Sequence, residues 1–244
     1  MKKVVAYLTV GYPDKNFTSD LIAEISPHID ILELGVPFSD PVADGEIIEK
    51  ANGLALKNGI KFQDILDIAE KTDIPNYLMG YFNSFYNQKM EILIPKLEKL
   101  KVNGLIIPDL PFEESSKYQK LVKKYSRDLI PFIAPTDNEK RVQTILQNEK
   151  AKFIYLVAYA GITGSGKTEN LDEVIANIRK HSNQDVFIGF GVNEKTAKEK
   201  AKNVDGVIVG TAFIKTLLNE DLSHSEKISQ IVKTAKNIKS LINE

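Results

Sequence analysis

Residues 153–180 read FIYLVAYAGITGSGKTENLDEVIANIRK, an apolar run, a glycine-rich loop and an amphipathic stretch. The β-branched and aromatic run 153–159 suits a buried strand, and the apolar residues of 171–180 recur at helical spacing. The loop between them, GITGSGKT (161–168), fits G-x-x-x-x-G-K-T, the pattern whose backbone cradles nucleotide phosphates. Two architectures accommodate such a unit. One is an open, doubly wound sheet carrying a nucleotide. The other is a closed barrel in which this loop is one of several above the strands.

The rest of the chain favours closure. Seven more apolar runs flank this one: 4–10, 31–36, 76–81, 104–109, 129–134, 186–191 and 206–211. Amphipathic stretches lie between them at 17–25, 62–71, 90–100, 115–125 and 140–147, and a long one, SEKISQIVKTAKNIKSLINE, ends the chain. Parallel strands need crossover helices. Eight such units in 244 residues match an α/β fold of the (β/α)₈ TIM-barrel type, expected as one domain over residues 1–244. Open sheets more often have five to seven strands.

Bulk properties narrow the function. Apolar residues make up 43% of the chain, enough for a large core, and 27% are charged with a net charge of −1. No basic excess points to nucleic acid. The absence of cysteine excludes disulfides, thiolate nucleophiles and cysteine-ligated metals. No run of 18 apolar residues suggests a membrane span, and VVAYLTV near the N-terminus is too short for a signal peptide. A cytoplasmic protein is expected.

Active sites of such barrels lie at the C-terminal strand ends. Glu33 stands inside the strand ILELGV. Alternation puts Ile31, Glu33 and Gly35 on one face and Leu32, Leu34 and Val36 on the other. The Leu/Leu/Val face suits helices, so Glu33 points into the barrel near its mouth. Burial raises a carboxyl's pKa, which suits proton transfer near neutral pH. The alternative is an ion pair with a buried base, but strand lysines and arginines are nearly absent. Asp40 and Asp44 follow in PFSDPVADG. A second carboxylate beside Glu33 could divide acid and base work, whereas a lone loop Asp usually makes a turn or a cap. His28, His181 and His224 lack metal-ligand spacing and read as surface or capping residues. The glycine-rich strand ends YAGITGSG, GFG and VGT suit a phosphate, with Gly210-Thr211 opening a short helix.

The stretch LELGVPFSDPVADG (32–45) resembles the signature of the tryptophan synthase alpha subunit family. The likeness extends over nearly the whole chain through YLTVGYPD, LMGYFN, PDLPFEES, YAGITG, GFGV and VGTAFIK. It implies a TIM barrel that cleaves indole-3-glycerol phosphate to indole and glyceraldehyde 3-phosphate without a cofactor of its own. It also implies an α–β–β–α heterotetramer with the tryptophan synthase beta subunit. Glu33 and Asp44 match the catalytic carboxylates. Asp44 would accept the indole N–H, while Glu33 would protonate indole C3 and take the glycerol hydroxyl proton. Tyr7, Leu78, Tyr81, Tyr155, Thr163 and Phe190 match substrate-binding positions. Gly161, Gly191, Gly210 and Thr211 match the phosphate seat, and Asp109 matches a residue coupling to the partner. PVADGEIIEKAN, MGYFNSFYNQ and PDLPFEES would form the docking face. On this reading GITGSGKT is a lid after strand six, with Thr163 orienting Asp44 and with Lys167 and Thr168 incidental. Two departures stand out. The short helix usual before strand one is missing from this sequence, and Tyr159 and Ala160 replace the Arg and Ser common in the lid.

Overall fold

The computed structural model describes residues 1–147, 151–158 and 171–244. Strands and helices alternate along it. The strands are β1 (Lys3–Thr9), β2 (Ile31–Gly35), β3 (Asn76–Met79), β4 (Gly104–Ile106), β5 (Asp128–Leu129), β6 (Phe132–Ile133), β7 (Phe153–Val157), β8 (Asp185–Gly189) and β9 (Gly206–Val209). The helices are α1 (Lys15–Ile25), α2 (Glu46–Lys57), α3 (Phe62–Glu70), α4 (Phe82–Tyr86), α5 (Met90–Lys99), α6 (Phe112–Lys124), α7 (Glu139–Leu146), α8 (Leu171–His181), α9 (Ala197–Lys200), α10 (Thr211–Leu217) and α11 (His224–Leu241).

All pairings are parallel, in the order β5-β4-β3-β2-β1-β9-β8-β7-β6. The two ends of that order are halves of one strand. Ile130 N–H donates to Leu105 carbonyl on one side (3.0 Å), and Tyr155 N–H donates to Pro131 carbonyl on the other (2.9 Å). The fifth apolar run therefore bridges β4 and β7 and closes an eight-stranded barrel. Pro131 marks the break because it has no N–H to give to a ladder.

Local chemistry sets the helices. Asp14 caps α1 by accepting from Asn16 and Phe17 N–H (2.8 and 2.9 Å), and α1 buries Phe17, Thr18, Leu21, Ile22 and Ile25 along one stripe. Ser223 and Glu226 form a reciprocal capping box at the start of α11.

Register fixes which residues face inward. Tyr7 pairs with Glu33, and Glu33 with Tyr77. Tyr77 meets Phe153 edge-on (5.4 Å, 81°), and Phe153 stacks on Phe187 (4.6 Å, 29°). This aromatic layer packs the interior of the barrel at its level. Lys3 is the one strand lysine among the described residues. Its ammonium pairs with Asp185 (2.7 Å) at the start of β1 and β8, the end away from the mouth. No helix among the described residues is long and apolar enough to cross a membrane.

Candidate active site

Glu33 lies on the barrel-facing side of β2 and is fully buried (0% exposed). Neither carboxylate oxygen has a hydrogen-bond partner among the described residues. An ionised carboxylate there would be stripped of water without compensation. Burial pushes the Glu33 carboxyl up to about 8, and the charge of Asp44 adds to the effect. The Glu33 side chain is thus mostly protonated at pH 7, and no group among the described residues engages either oxygen.

Asp44 reaches the same pocket from the loop after β2. It does not cap the helix that follows, since the N-cap of α2 is Gly45 and no side chain caps it. Its carboxylate turns instead to Tyr81, whose hydroxyl donates to Asp44 Oδ2 (3.0 Å) and accepts from Ala43 N–H (2.9 Å). The Tyr81 ring is held by Phe38, stacked at 5.2 Å. Burial pushes Asp44 up to about 6, and the Tyr81 hydrogen bond opposes that rise. Asp40 is exposed and takes part in a turn: its carbonyl accepts from Val42 N–H (2.9 Å) and its carboxylate from Ser39 (2.5 Å).

The remaining wall comes from the inward faces of the strands. Tyr7, Met79, Tyr155 and Ile208 line the pocket with Ile48, Val192, Phe190, Gly191, Gly210 and Thr211. The Tyr7 and Tyr155 rings lie across glycines of the neighbouring strands. A Cβ at Gly35 would fall 2.5 Å from the Tyr7 hydroxyl, and one at Gly189 would fall 2.4 Å from that of Tyr155. Only glycine admits those rings. Phe132 stacks on Tyr155 (4.6 Å, 24°). Phe190 and Gly191 both adopt left-handed backbone, with φ of 72° and 69°. For phenylalanine that conformation is strained, and such strain clusters at functional sites. Here it holds the Phe190 ring at the mouth, 6.3 Å from Tyr155.

One expected residue is corrected. Leu78 pairs with Leu34 on the helix-facing side, is fully buried, and does not line the pocket. Strand alternation sends its neighbour Met79 inward instead. The inward phase of β3 follows from Tyr77 standing beside Glu33. Counting by twos from that pair finds Met79, but the pair itself is a matter of register. Gly161, Thr163, Lys167, Thr168, Tyr159 and Ala160 lie outside the described residues, as does the whole GITGSGKT loop. The histidines have local roles: His224 packs edge-on against Phe17 (4.9 Å), His181 lies 3.4 Å from Glu139, and His28 ends a single 3₁₀ turn. No cluster of three or more His, Cys, Asp or Glu among the described residues could hold a metal.

Asp109 is exposed in the loop after β4, and its Oδ1 accepts from Phe82 N–H (2.7 Å), tying that loop to the start of α4. Val42, in the loop after β2, and Tyr86, at the end of α4, are 85% and 59% exposed.

A sequence model of the tryptophan synthase alpha chain family matches residues 1–243. The chain belongs to the tryptophan synthase alpha chain family. It is 51% identical over 247 aligned residues to the tryptophan synthase alpha chain of Wolinella succinogenes, covering all of this chain and 96% of the relative. The alpha chain of Aquifex aeolicus is 36% identical, with 100% and 94% coverage. Among solved structures, tryptophan synthase subunit alpha from Campylobacter jejuni superposes with a TM-score of 0.85 at 34% identity, covering 97% of this chain and 95% of that one. A chain of Mycobacterium tuberculosis tryptophan synthase gives 0.89 at 25% identity, with 100% and 93% coverage. This chain shares its fold with both solved structures.

Proposed function

We propose that Glu33 and Asp44 divide the chemistry of indole-3-glycerol phosphate cleavage, the lyase reaction of the tryptophan synthase alpha chain. The single observation behind this division is the contrast between the two carboxyls. Glu33 is raised to about 8 and has no partner among the described residues, while Asp44 is raised only to about 6 and held by Tyr81. Near neutral pH one is an acid and the other an anion, a separation of roles that environment alone can produce.

The protonated Glu33 gives its proton to indole C3. The ring becomes an indoleninium, with positive charge at the ring nitrogen, and Asp44 stabilises it by accepting the N–H. The Glu33 carboxylate then removes the proton of the hydroxyl on the side-chain carbon bonded to C3. The C–C bond breaks, its electron pair restores the indole ring, and the hydroxyl carbon becomes the aldehyde of glyceraldehyde 3-phosphate. The proton lost in the first step returns in the second, so Glu33 leaves the cycle as it entered. Each proton transfer of this kind typically contributes roughly 10²–10⁴-fold in rate.

Tyr7, Met79, Tyr155 and Phe190 supply the apolar and aromatic walls for the indole. Gly191, Gly210 and Thr211 seat the phosphate, and by the family likeness Gly161 joins that seat and Thr163 orients Asp44. Tyr81 positions Asp44. The chain acts in tryptophan biosynthesis beside the beta subunit in a heterotetramer. Asp109, Val42 and Tyr86 belong to the docking face, where Asp109 couples the two subunits. The reaction takes place in the cytoplasm on a single-domain subunit.

Glu33→Gln preserves the shape of the side chain and removes its proton. Indole release should fall to background while the variant still binds glycerol 3-phosphate. Indole release at a wild-type rate would remove Glu33 from the mechanism.

A further inference from the structure

We propose that Lys200 is the cationic ligand of the substrate's phosphate group. This rests on the reading that Gly191, Gly210 and Thr211 seat that phosphate. Four lysines among the described residues border the open mouth of the barrel: Lys195, Lys200, Lys202 and Lys215. Three of them are exposed, and only Lys200, the last residue of α9, is half-buried. Its ammonium and the adjoining carbon lie 3.8 Å from the space a Cβ on Gly191 would occupy. The absence of a side chain at 191 therefore leaves the cation bordering open space beside the glycine backbone.

The loop that sets this distance is braced. The Thr196 hydroxyl donates to the Gly191 carbonyl (2.8 Å) and accepts from Asn193 N–H (3.0 Å). The brace fixes Gly191 against the start of α9, and α9 carries Lys200 at its far end.

No carboxylate or carbonyl among the described residues engages the Lys200 ammonium. Two comparably buried lysines differ. Lys3 pairs with Asp185 and Lys239 with Asp30. The acid that acts on Lys200 is its chain neighbour Glu199, and burial outweighs that attraction, so the ammonium sits below the usual lysine range. A cation partly stripped of water and left without a counter-ion gains more from a dianion than an exposed one does. A phosphate at the glycine seat supplies that dianion. The backbone N–H groups orient it, and Lys200 adds the charge.

The test uses the complex with the beta subunit and three proteins: wild type, Lys200→Met and Lys200→Arg. Two probes are titrated, glycerol 3-phosphate and indole-3-propanol, which has the ring but no phosphate. Lys200→Met should weaken glycerol 3-phosphate roughly 10- to 100-fold, the range of a charge-assisted hydrogen bond. The KM for indole-3-glycerol phosphate should rise by a similar factor, with a much smaller change in kcat. Lys200→Arg should retain most of the affinity, and indole-3-propanol should bind all three alike. Added salt should weaken glycerol 3-phosphate more for the wild type than for Lys200→Met. Equal glycerol 3-phosphate affinity in wild type and Lys200→Met overturns the proposal and leaves the glycine seat intact. Parallel losses for both probes show a structural role and overturn it too. If the wild type itself fails to bind glycerol 3-phosphate, the phosphate seat falls and Lys200 with it. Should Lys200→Met fail to fold, Lys200→Gln gives the same comparison.

Discussion

The buried carboxyl of Glu33 makes stability depend on pH in a direction opposite to that of a salt-bridged acid. Its folded-state pKa is about 8 against an ordinary 4.5. Between those values the native protein holds a proton that the unfolded chain has released. Stability therefore falls as pH rises, by roughly 1.4 kcal/mol per pH unit, and levels off above about 8. Across the whole window the loss is roughly 5 kcal/mol as an upper bound. Water entering around the ionised group reduces it, so a loss of about 2–5 kcal/mol is expected. Glu33→Gln removes the titration while keeping the shape. Urea unfolding followed by circular dichroism at pH 5, 7 and 9 gives the stability of each protein. The Gln variant should gain on the wild type by about 2–4 kcal/mol between pH 5 and pH 9, an interval that covers about three units of that window. Asp44 titrates in both proteins, so most of its contribution cancels in the difference. Parallel pH profiles for the two proteins would refute a desolvated, unpartnered Glu33, and with it the reason for assigning that residue the acid role.

Three further outcomes follow from the same geometry. The kcat/KM profile should be bell-shaped, with an acid limb near 6 as Asp44 ionises and a basic limb near 8 as Glu33 loses its proton; a profile flat from pH 5 to 9 contradicts the division of roles. Tyr81→Phe removes the hydroxyl that accepts from Ala43 and donates to Asp44, so activity should fall by about 10-fold, the value of one such hydrogen bond. Because that bond lowers the Asp44 pKa, the acid limb should also move upward, and an unmoved limb would show that Tyr81 does not position the carboxylate. Met79→Ala should raise the KM for indole-3-glycerol phosphate, whereas Leu78→Ala should cost about 2–5 kcal/mol in urea unfolding and leave KM unchanged; the reverse pattern would mean that β3 faces the other way.

Much of this protein follows from local pattern. A period of two in ILELGV puts Glu33 inside, and eight apolar runs alternating with helical stretches give a barrel. Both follow from the chain alone because strand alternation and helical spacing are properties of consecutive residues. The signature at 32–45 identifies the family for the same reason, since its residues are adjacent in sequence. The remaining features depend on register and closure, which bring distant segments together. That Glu33 has no partner among the described residues is a statement about every one of them around it. The Tyr81 clamp on Asp44 joins positions 37 apart. Leu78 and Met79 are told apart by which of them stands in phase with Glu33, and the pairing of β2 with β3 settles it. Lys200 is an ordinary helical lysine until the loop after β8 folds it beside Gly191. Strand alternation and the spacing of apolar runs thus determined the architecture and the inward placement of Glu33, while Asp44 followed only from the likeness of residues 32–45 to the family signature. The charge state of those acids, and the groups that hold and surround them, were decided by the tertiary structure, because burial and through-space contact arise only when the barrel closes.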